Sequence, residues 1–262
     1  MKIATWNVNS IRTRLVHATD WLQANPDVDL LALQETKVVD EQFPLAAFQG
    51  LGFHVYIFGQ KSYNGVALIA RSPLEDVRLG FGGVLSAQQV GDLDDQKRVI
   101  SAVIDGVRVV NLYVPNGSEI ESDKYFYKLR WLKLLREYLA KLLTETPDLL
   151  VCGDFNIALE DIDIHNPAKR ATHIMSSDVE RDALREVLTL GLQDAFRKFN
   201  TESEQYSWWD YRSGAFRRNA GWRIDHHYLT PALYDRAKGC IIDPEPRKLE
   251  QPSDHTPVIV EL

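Results

Sequence analysis

The chain has 262 residues and a formal charge of −7, with 45% hydrophobic and 26% charged residues, a balance that suits a globular protein able to bury roughly three quarters of its unfolded surface. No apolar run nears the ~18 residues a bilayer span needs, and the start Met1-Lys2-Ile3-Ala4-Thr5-Trp6 lacks a signal peptide's basic and apolar regions, so cytoplasmic residence is the default expectation. Cys152 and Cys240 lie too far apart for a disulfide framework or zinc spacing and read as buried apolar residues, while the acidic balance excludes general attraction to nucleic acid but leaves room for a local basic strip.

Apolar runs predict strands at 3–6, 28–33, 65–70, 99–104, 107–114, 148–152, 223–229 and 256–262. Between them, Leu129, Leu132, Leu135, Leu139 and Leu142 or Leu143 recur at helical spacing and predict a helix over 124–144. A second helix is expected over 178–190, with Gly191 as its C-cap. Several strands are apolar throughout, so both sheet faces should be covered and helices should pack outside sheets. No linker or repeat divides the chain, which reads as one α/β domain, 1–262.

Polar residues gather at the strand ends. Asn7 and Asn9 follow the first run, Glu35 the second, Tyr113 and Asn116 the run that begins at 107, and Asp154 and Asn156 the run after it. Ser253-Asp254-His255 precede the last strand, which must run opposite to the others to reach the same rim, so a mixed sheet is implied. Alone, the Asp254-His255 pair is more often a turn whose Asp caps backbone amides than a catalytic element. Together, the carboxylates Glu35, Asp154, Asp225 and Asp254 with the amides Asn7 and Asn156 form a hard oxygen donor set that suits Mg²⁺ or Mn²⁺ better than Zn²⁺. Such crowding predicts a bound cation or a shared proton. A phosphodiester is the natural substrate, with Glu35, His255, Asn156 and Tyr113 meeting the needs of its hydrolysis.

From Tyr211 to Ile224 the chain carries Arg212, Arg217, Arg218 and Arg223 without an acid, interleaved with or beside Trp208, Trp209, Tyr211, Phe216 and Trp222. This stretch is either a loop that grips phosphates and stacks on bases or a solvated arginine run over an aromatic core. His226 and His227, inside a strand, are expected to be structural.

The ordered segments Trp6-Asn7-Val8-Asn9, Leu33-Gln34-Glu35-Thr36-Lys37, Gly65-Val66-Ala67-Leu68, Tyr113-Val114-Pro115-Asn116-Gly117, Gly153-Asp154-Phe155-Asn156, Trp222-Arg223-Ile224-Asp225 and Ser253-Asp254-His255 resemble the exonuclease III-type apurinic/apyrimidinic endonucleases of the endonuclease/exonuclease/phosphatase superfamily. The resemblance spans the whole chain. It implies a four-layer α/β sandwich of two mixed sheets with helices outside. It also implies Mg²⁺-dependent cleavage of duplex DNA (Mn²⁺ substituting) on the 5′ side of abasic sites, leaving a 3′-hydroxyl, with trimming of blocked 3′ ends.

By the same resemblance the metal site comprises Asn7, Glu35, Asp154, Asn156, Asp254 and His255, with Glu35 the principal ligand and Asp254 a further ligand or water-holder. Asp154 activates water, Asn156 orients water and phosphate, His255 contacts a phosphoryl oxygen with Asp225 on its other ring nitrogen, and Tyr113 assists the leaving group. Whether Asp154 or His255 takes the proton, and whether one or two ions act, stays open. Trp208, Trp222 and Ile224 match a pocket for a flipped-out, base-less sugar, although strict alternation sets Asp225 on the opposite face from Trp222 and Ile224. Arg98, Asn116 and Asn166 match phosphate contacts, to which Lys169, Arg170 and Arg212 add.

The chain departs from the animal branch in its acidic Ser118, Glu119, Glu121 and Asp123 loop, which predicts weaker product holding, and in Asn9, which stands where those enzymes carry Asp. No regulatory extension is expected before the domain. The partner is duplex DNA in the nucleoid, acted on by a monomer without a membrane. Rival readings are a superfamily relative with another phosphoester substrate, such as a non-specific nuclease or an inositol-phosphate phosphatase, and a non-catalytic nucleic-acid-binding regulator.

Overall fold

The computed structural model describes residues 1–262. Its strands are β1 (Lys2–Asn7), β2 (Leu30–Gln34), β3 (His54–Phe58), β4 (Val66–Ala70), β5 (Glu75–Leu79), β6 (Val99–Ile104), β7 (Val107–Tyr113), β8 (Leu149–Asp154), β9 (Gln193–Asp194), β10 (Asp225–Leu229), β11 (Gly239–Ile242) and β12 (Val258–Glu261). They form two six-stranded sheets, ordered β11-β12-β1-β2-β4-β3 and β5-β6-β7-β8-β10-β9.

The apolar runs of the sequence correspond to the inner strands of both sheets. The strands they did not mark, β3, β5, β9 and β11, are the four sheet edges. The reason is burial: β2 and β4 are buried at every residue, so each reads as continuous apolar sequence, whereas β3 and β5 hold no buried residue. Edges carry polar chemistry that discourages pairing with other chains. In β5 the register shifts between Glu75 and Arg78, and Asp76, at φ 45, turns the strand there.

Between the sheets, Ile3, Leu30, Leu68 and Val258 pack against Ile100, Val109, Leu150, Cys152 and Leu229. Outside the second sheet lie two helices. Asp123–Leu143 buries Trp131, Leu132, Leu135, Tyr138 and Leu139, and Asp178–Leu188 buries Leu184 and Val187. Both start where a serine caps them: Ser122 accepts from the Tyr125 amide at 3.2 Å, and Ser177 forms a capping box with Glu180. The second helix stops at Leu188, short of the expected 190, with Gly191 (φ 95) beyond its cap Thr189. The Leu15–Ala24 and Leu45–Gln49 helices cover the first sheet. The result is the four-layer sandwich that the resemblance implied. No helix is long and apolar enough to cross a membrane.

Strand direction sets the functional rim. β1 pairs with β2, and β7 with β8, in parallel, while β12 runs antiparallel to β1 and β10 antiparallel to β8. The carboxyl ends of four strands therefore meet the amino ends of β10 and β12. Just below this rim Asn111 of β7 receives a 2.7 Å bond from Gln34 and donates to the carbonyls of Leu33 and Ala67 at 3.0 and 2.9 Å, tying one sheet to the other.

Candidate active site

Asn7 closes β1, and Glu35 follows β2. In the other sheet Tyr113, Asp154 and Asp225 stand side by side on adjacent strands, with Asp154 in register against both neighbours. Asn7 spans the gap. Its amide nitrogen donates to Glu35 Oε1 at 2.8 Å and to Asp154 Oδ2 at 2.9 Å, which brings two carboxylates within reach of one group. His255 enters from the segment before β12, with Nδ1 2.8 Å from Asp225 Oδ2 and Nε2 3.7 Å from Asp154 Oδ2. Ligand-capable atoms of Glu35, Asp154 and His255 all lie within 4.8 Å of one another.

The backbone is bent to aim these groups. Asn9, Glu35, Lys37 and Asn156 take left-handed conformations, with φ between 44 and 57. Asn accepts this readily, while Glu and Lys do so at a cost of about 1–2 kcal/mol each. Gly153, at φ 140, sits so close to β7 that a Cβ would strike the Leu112 carbonyl, so only glycine lets β8 deliver Asp154 in register. The Asn156 amide N–H donates to Asp154 Oδ1 at 2.8 Å, its side-chain nitrogen donates to the Val114 carbonyl at 2.9 Å, and its Oδ1 accepts from Asn116 at 3.0 Å.

Burial opposes charge on His255, but Asp225 and Asp154 outweigh it and raise its pKa to about 10, so the ring is an imidazolium at neutral pH. Burial pushes Asp154 up to about 7, with Asp225 adding to the rise and His255 opposing it. Burial also raises Tyr113 well above the usual phenol value, leaving it a donor. Asp254 is held below the usual carboxylate range: burial works against ionisation, but the charge on His255 and bonds from Trp208 (3.0 Å) and Asn9 (2.9 Å) prevail.

This placement refines several expectations. Asn7 turns its N–H groups toward the two carboxylates and brackets the cluster, while its oxygen accepts from the Asn9 amide at 3.0 Å. The oxygen of Asn156 is engaged by Asn116, and both oxygens of Asp254 are held by Asn9 and Trp208, away from the three-residue cluster. His255, once protonated, has no lone pair for a metal. Arg98 is only 8% exposed, stacks 4.5 Å from the Tyr113 ring centre and donates to the Tyr113 carbonyl at 3.1 Å; it supports the tyrosine from beneath instead of facing a phosphate.

Arg223 is also withdrawn from any basic strip, buried between Asp163 (2.8 Å) and Asp194 (2.6 Å). Arg212 is 85% exposed but clasps Asp210, which offsets its charge. Asn166 and Lys169 are exposed, and Arg170 pairs with Asp161 and Asp178.

The aromatic group does assemble beside the site. Trp208 and Trp222 meet nearly edge-on at 6.4 Å, and bridge pairings link Trp208 to both Trp222 and His255. β10 begins only at Asp225, so Trp222 and Ile224 precede the strand and its alternation does not apply to them. Ile224, 1% exposed, is the floor beneath the indoles and not a wall a ligand would touch. His226 and His227 are structural, bonded to the Ile157 and Val258 carbonyls at 2.9 Å and held neutral by burial, which lowers both to about 4.

The sequence signature of the Endonuclease/Exonuclease/phosphatase family matches residues 4–255. The chain belongs to that family. Within the Endonuclease/Exonuclease/phosphatase family it is 34% identical to the exodeoxyribonuclease III of Haemophilus influenzae over the full length of both proteins. Among solved structures it is similar to the Neisseria 3′ phosphatase NExo, bound to a product DNA hairpin, at 44% identity and a TM-score of 0.94. It is also similar to an AP endonuclease from Archaeoglobus fulgidus, at 42% identity and a TM-score of 0.93. Each alignment covers 100% of this chain and 99% of the other. The exonuclease III-type resemblance drawn from the motifs is borne out.

Sequence reasoning missed three supports of this site. Ser207 donates to Asp225 Oδ2 at 2.7 Å and accepts from the Ile224 and Asp225 amides at 3.1 Å. Lys37 pairs with Glu35 at 2.8 Å and donates to Asn9. Arg14 reaches the carbonyls of Asn9 and Pro252 and the Tyr211 hydroxyl. The position of Lys37 two residues after Glu35 was a usable signal; Ser207 and Arg14 carry none.

Proposed function

We propose that the protein is a Mg²⁺-dependent DNA-repair phosphodiesterase that incises duplex DNA on the 5′ side of abasic sites and leaves a 3′-hydroxyl. The observation that carries this reading is the convergence of Glu35, Asp154 and an imidazolium His255 within 4.8 Å, beside an edge-on tryptophan pair. Buried Asp154 and half-buried Glu35 are hard oxygen donors held together by Asn7, a set that fits a divalent magnesium- or manganese-type ion. Bound by Glu35 and Asp154, such an ion supplies positive charge against the phosphoryl oxygens.

The chain's own residues do the rest. Asp154 is the stronger candidate to take the proton from the attacking water, because His255 already holds its own. His255 donates to a non-bridging oxygen, with Asp225 fixing its orientation. Asn156 orients the water and phosphate, and Tyr113 donates toward the departing oxygen. Trp208 and Trp222 pack against the base-less sugar flipped out of the duplex. The 44% identity to a 3′ phosphatase supports trimming of blocked 3′ ends by the same centre. Residues 1–262 act as one domain and as a monomer, which light scattering checks.

The test is a labelled duplex bearing one abasic site, incubated with protein and Mg²⁺ beside an intact duplex. Incision confined to the abasic strand and abolished by EDTA is expected. No incision, or equal cutting of both duplexes, would overturn the reading.

A further inference from the structure

Lys128 lies on the second turn of the Asp123–Leu143 helix with its side chain 0% exposed. Its ammonium is 2.6 Å from Glu180 Oε1, and Glu180, on the Asp178–Leu188 helix, is equally buried. Removing both charges from water costs several kcal/mol per ion, and their attraction alone rarely gives a net gain over apolar packing. Burial lowers the lysine pKa, with Glu180 opposing the shift. The remaining partners of this pair show what it holds.

The lysine also donates to the backbone carbonyls of Asn156, at 2.8 Å, and Asn116, at 3.2 Å. Those residues stand on different loops, after β8 and after β7, and their side chains meet at 3.0 Å over the site. One ammonium thus ties together the backbones of the two amides, while Asn156 is held in a left-handed conformation and bonded to Asp154 through its own N–H. Glu180 is fixed in turn by the Met175 amide (3.0 Å) and by the amide and hydroxyl of Ser177 (3.1 and 2.7 Å). All three donors of the ammonium are therefore engaged, by Asn116, Asn156 and Glu180.

We infer that Lys128, braced by Glu180, is a positioning residue for the hydrolytic centre: it sets the Asn116-Asn156 pair, and through it Asp154, in the reacting arrangement. This rests on the role assigned to Asn156 above. The Lys128 ammonium touches no substrate. Its loss shifts Asn156 and Asp154 while leaving the tryptophan pair and the exposed Asn166 and Lys169 in place. Turnover falls and substrate affinity does not, because misplacement by about 1 Å costs up to ~100-fold in rate.

The decisive comparison uses the whole protein with abasic duplex and Mg²⁺ and four variants. Lys128→Met with Glu180→Gln removes the buried pair without stranding a charge, and Lys128→Gln with Glu180→Gln serves in its place if that chain does not fold. Leu139→Ala, a core truncation on the same helix far from the asparagines, controls for lost stability, and Asn156→Ala reports on the site itself. Measured at a temperature where each is fully folded, the Lys128 variant should lose at least tenfold in kcat, with KM within about twofold of the parent, while Leu139→Ala keeps its kcat. If Asn156→Ala is impaired but the Lys128 variant turns over like the Leu139→Ala control, the positioning role is wrong and the site reading stands. If Asn156→Ala itself turns over normally, both fall. A Lys128 variant that loses KM and not kcat would also overturn the role.

Discussion

Replacing Asp225 by asparagine should disable the site in a pH-dependent way whose size follows from the geometry. The carboxylate lies 2.8 Å from His255 Nδ1, and at an effective dielectric constant of ~20 such a pair is worth about 6 kcal/mol, or roughly 4 pKa units. Taking that from a pKa of about 10 leaves the ring near 6. At pH 7.5 only a few per cent of the variant would carry the imidazolium, a loss of about 30-fold in turnover, and the weakened hold on ring orientation should bring the deficit to the order of 10². The introduced amide keeps the volume of the native side chain and can still accept from Ser207, so the fold should persist. The assay is incision of abasic duplex from pH 6 to 9, reported as the ratio of variant to parent kcat. The ratio should fall as pH rises and recover toward pH 6. A ratio flat across that range, or no deficit at all, would refute the idea that Asp225 acts by keeping His255 protonated.

Three further outcomes are expected. Asp154→Asn should lower turnover by a factor on the order of 10² or more while the affinity for abasic duplex, measured by fluorescence anisotropy, is retained. Trp208→Ala should weaken binding to abasic duplex about tenfold and narrow the preference over intact duplex, read in the same titration, because it removes half of an edge-on aromatic pair and a bond to Asp254. The buried Asp163 should make the fold acid-sensitive. Burial raises its pKa, but Arg223, His226 and Arg197 overcome that and hold it at about 2. Because the folded value lies below the unfolded one near 3.9, its contribution of about 3 kcal/mol is present above pH 4 and is lost progressively as the pH falls through 2. Urea unfolding at pH 7 and pH 3 should show this loss in the parent and a smaller pH difference in Asp163→Asn.

The parts of the molecule legible in its sequence are those where one physical constraint dominates. Strands buried on both faces, such as β2 and β4, must be apolar throughout and announced themselves. The edge strands answer to solvent on one side and lie outside the apolar runs that predict strands. The rim residues were legible because carboxylates and amides at the ends of apolar strands have little structural reason to be there. Arginine was ambiguous: Arg223 and Arg98 carry the composition of a phosphate grip, yet the fold consumes them, one between Asp163 and Asp194 and the other beneath Tyr113. Ser207 and Lys128 were illegible because their value lies in partners that only the folded chain brings near.

The central claim, that Glu35 and Asp154 form a divalent-ion site on which incision depends, is tested most directly by titrating Mg²⁺ into the abasic-duplex reaction with the parent and with Glu35→Gln. The account predicts that the variant needs at least tenfold more Mg²⁺ for half-maximal rate and that neither protein cuts in EDTA. Superimposable titration curves, or incision that persists without a divalent ion, would contradict it.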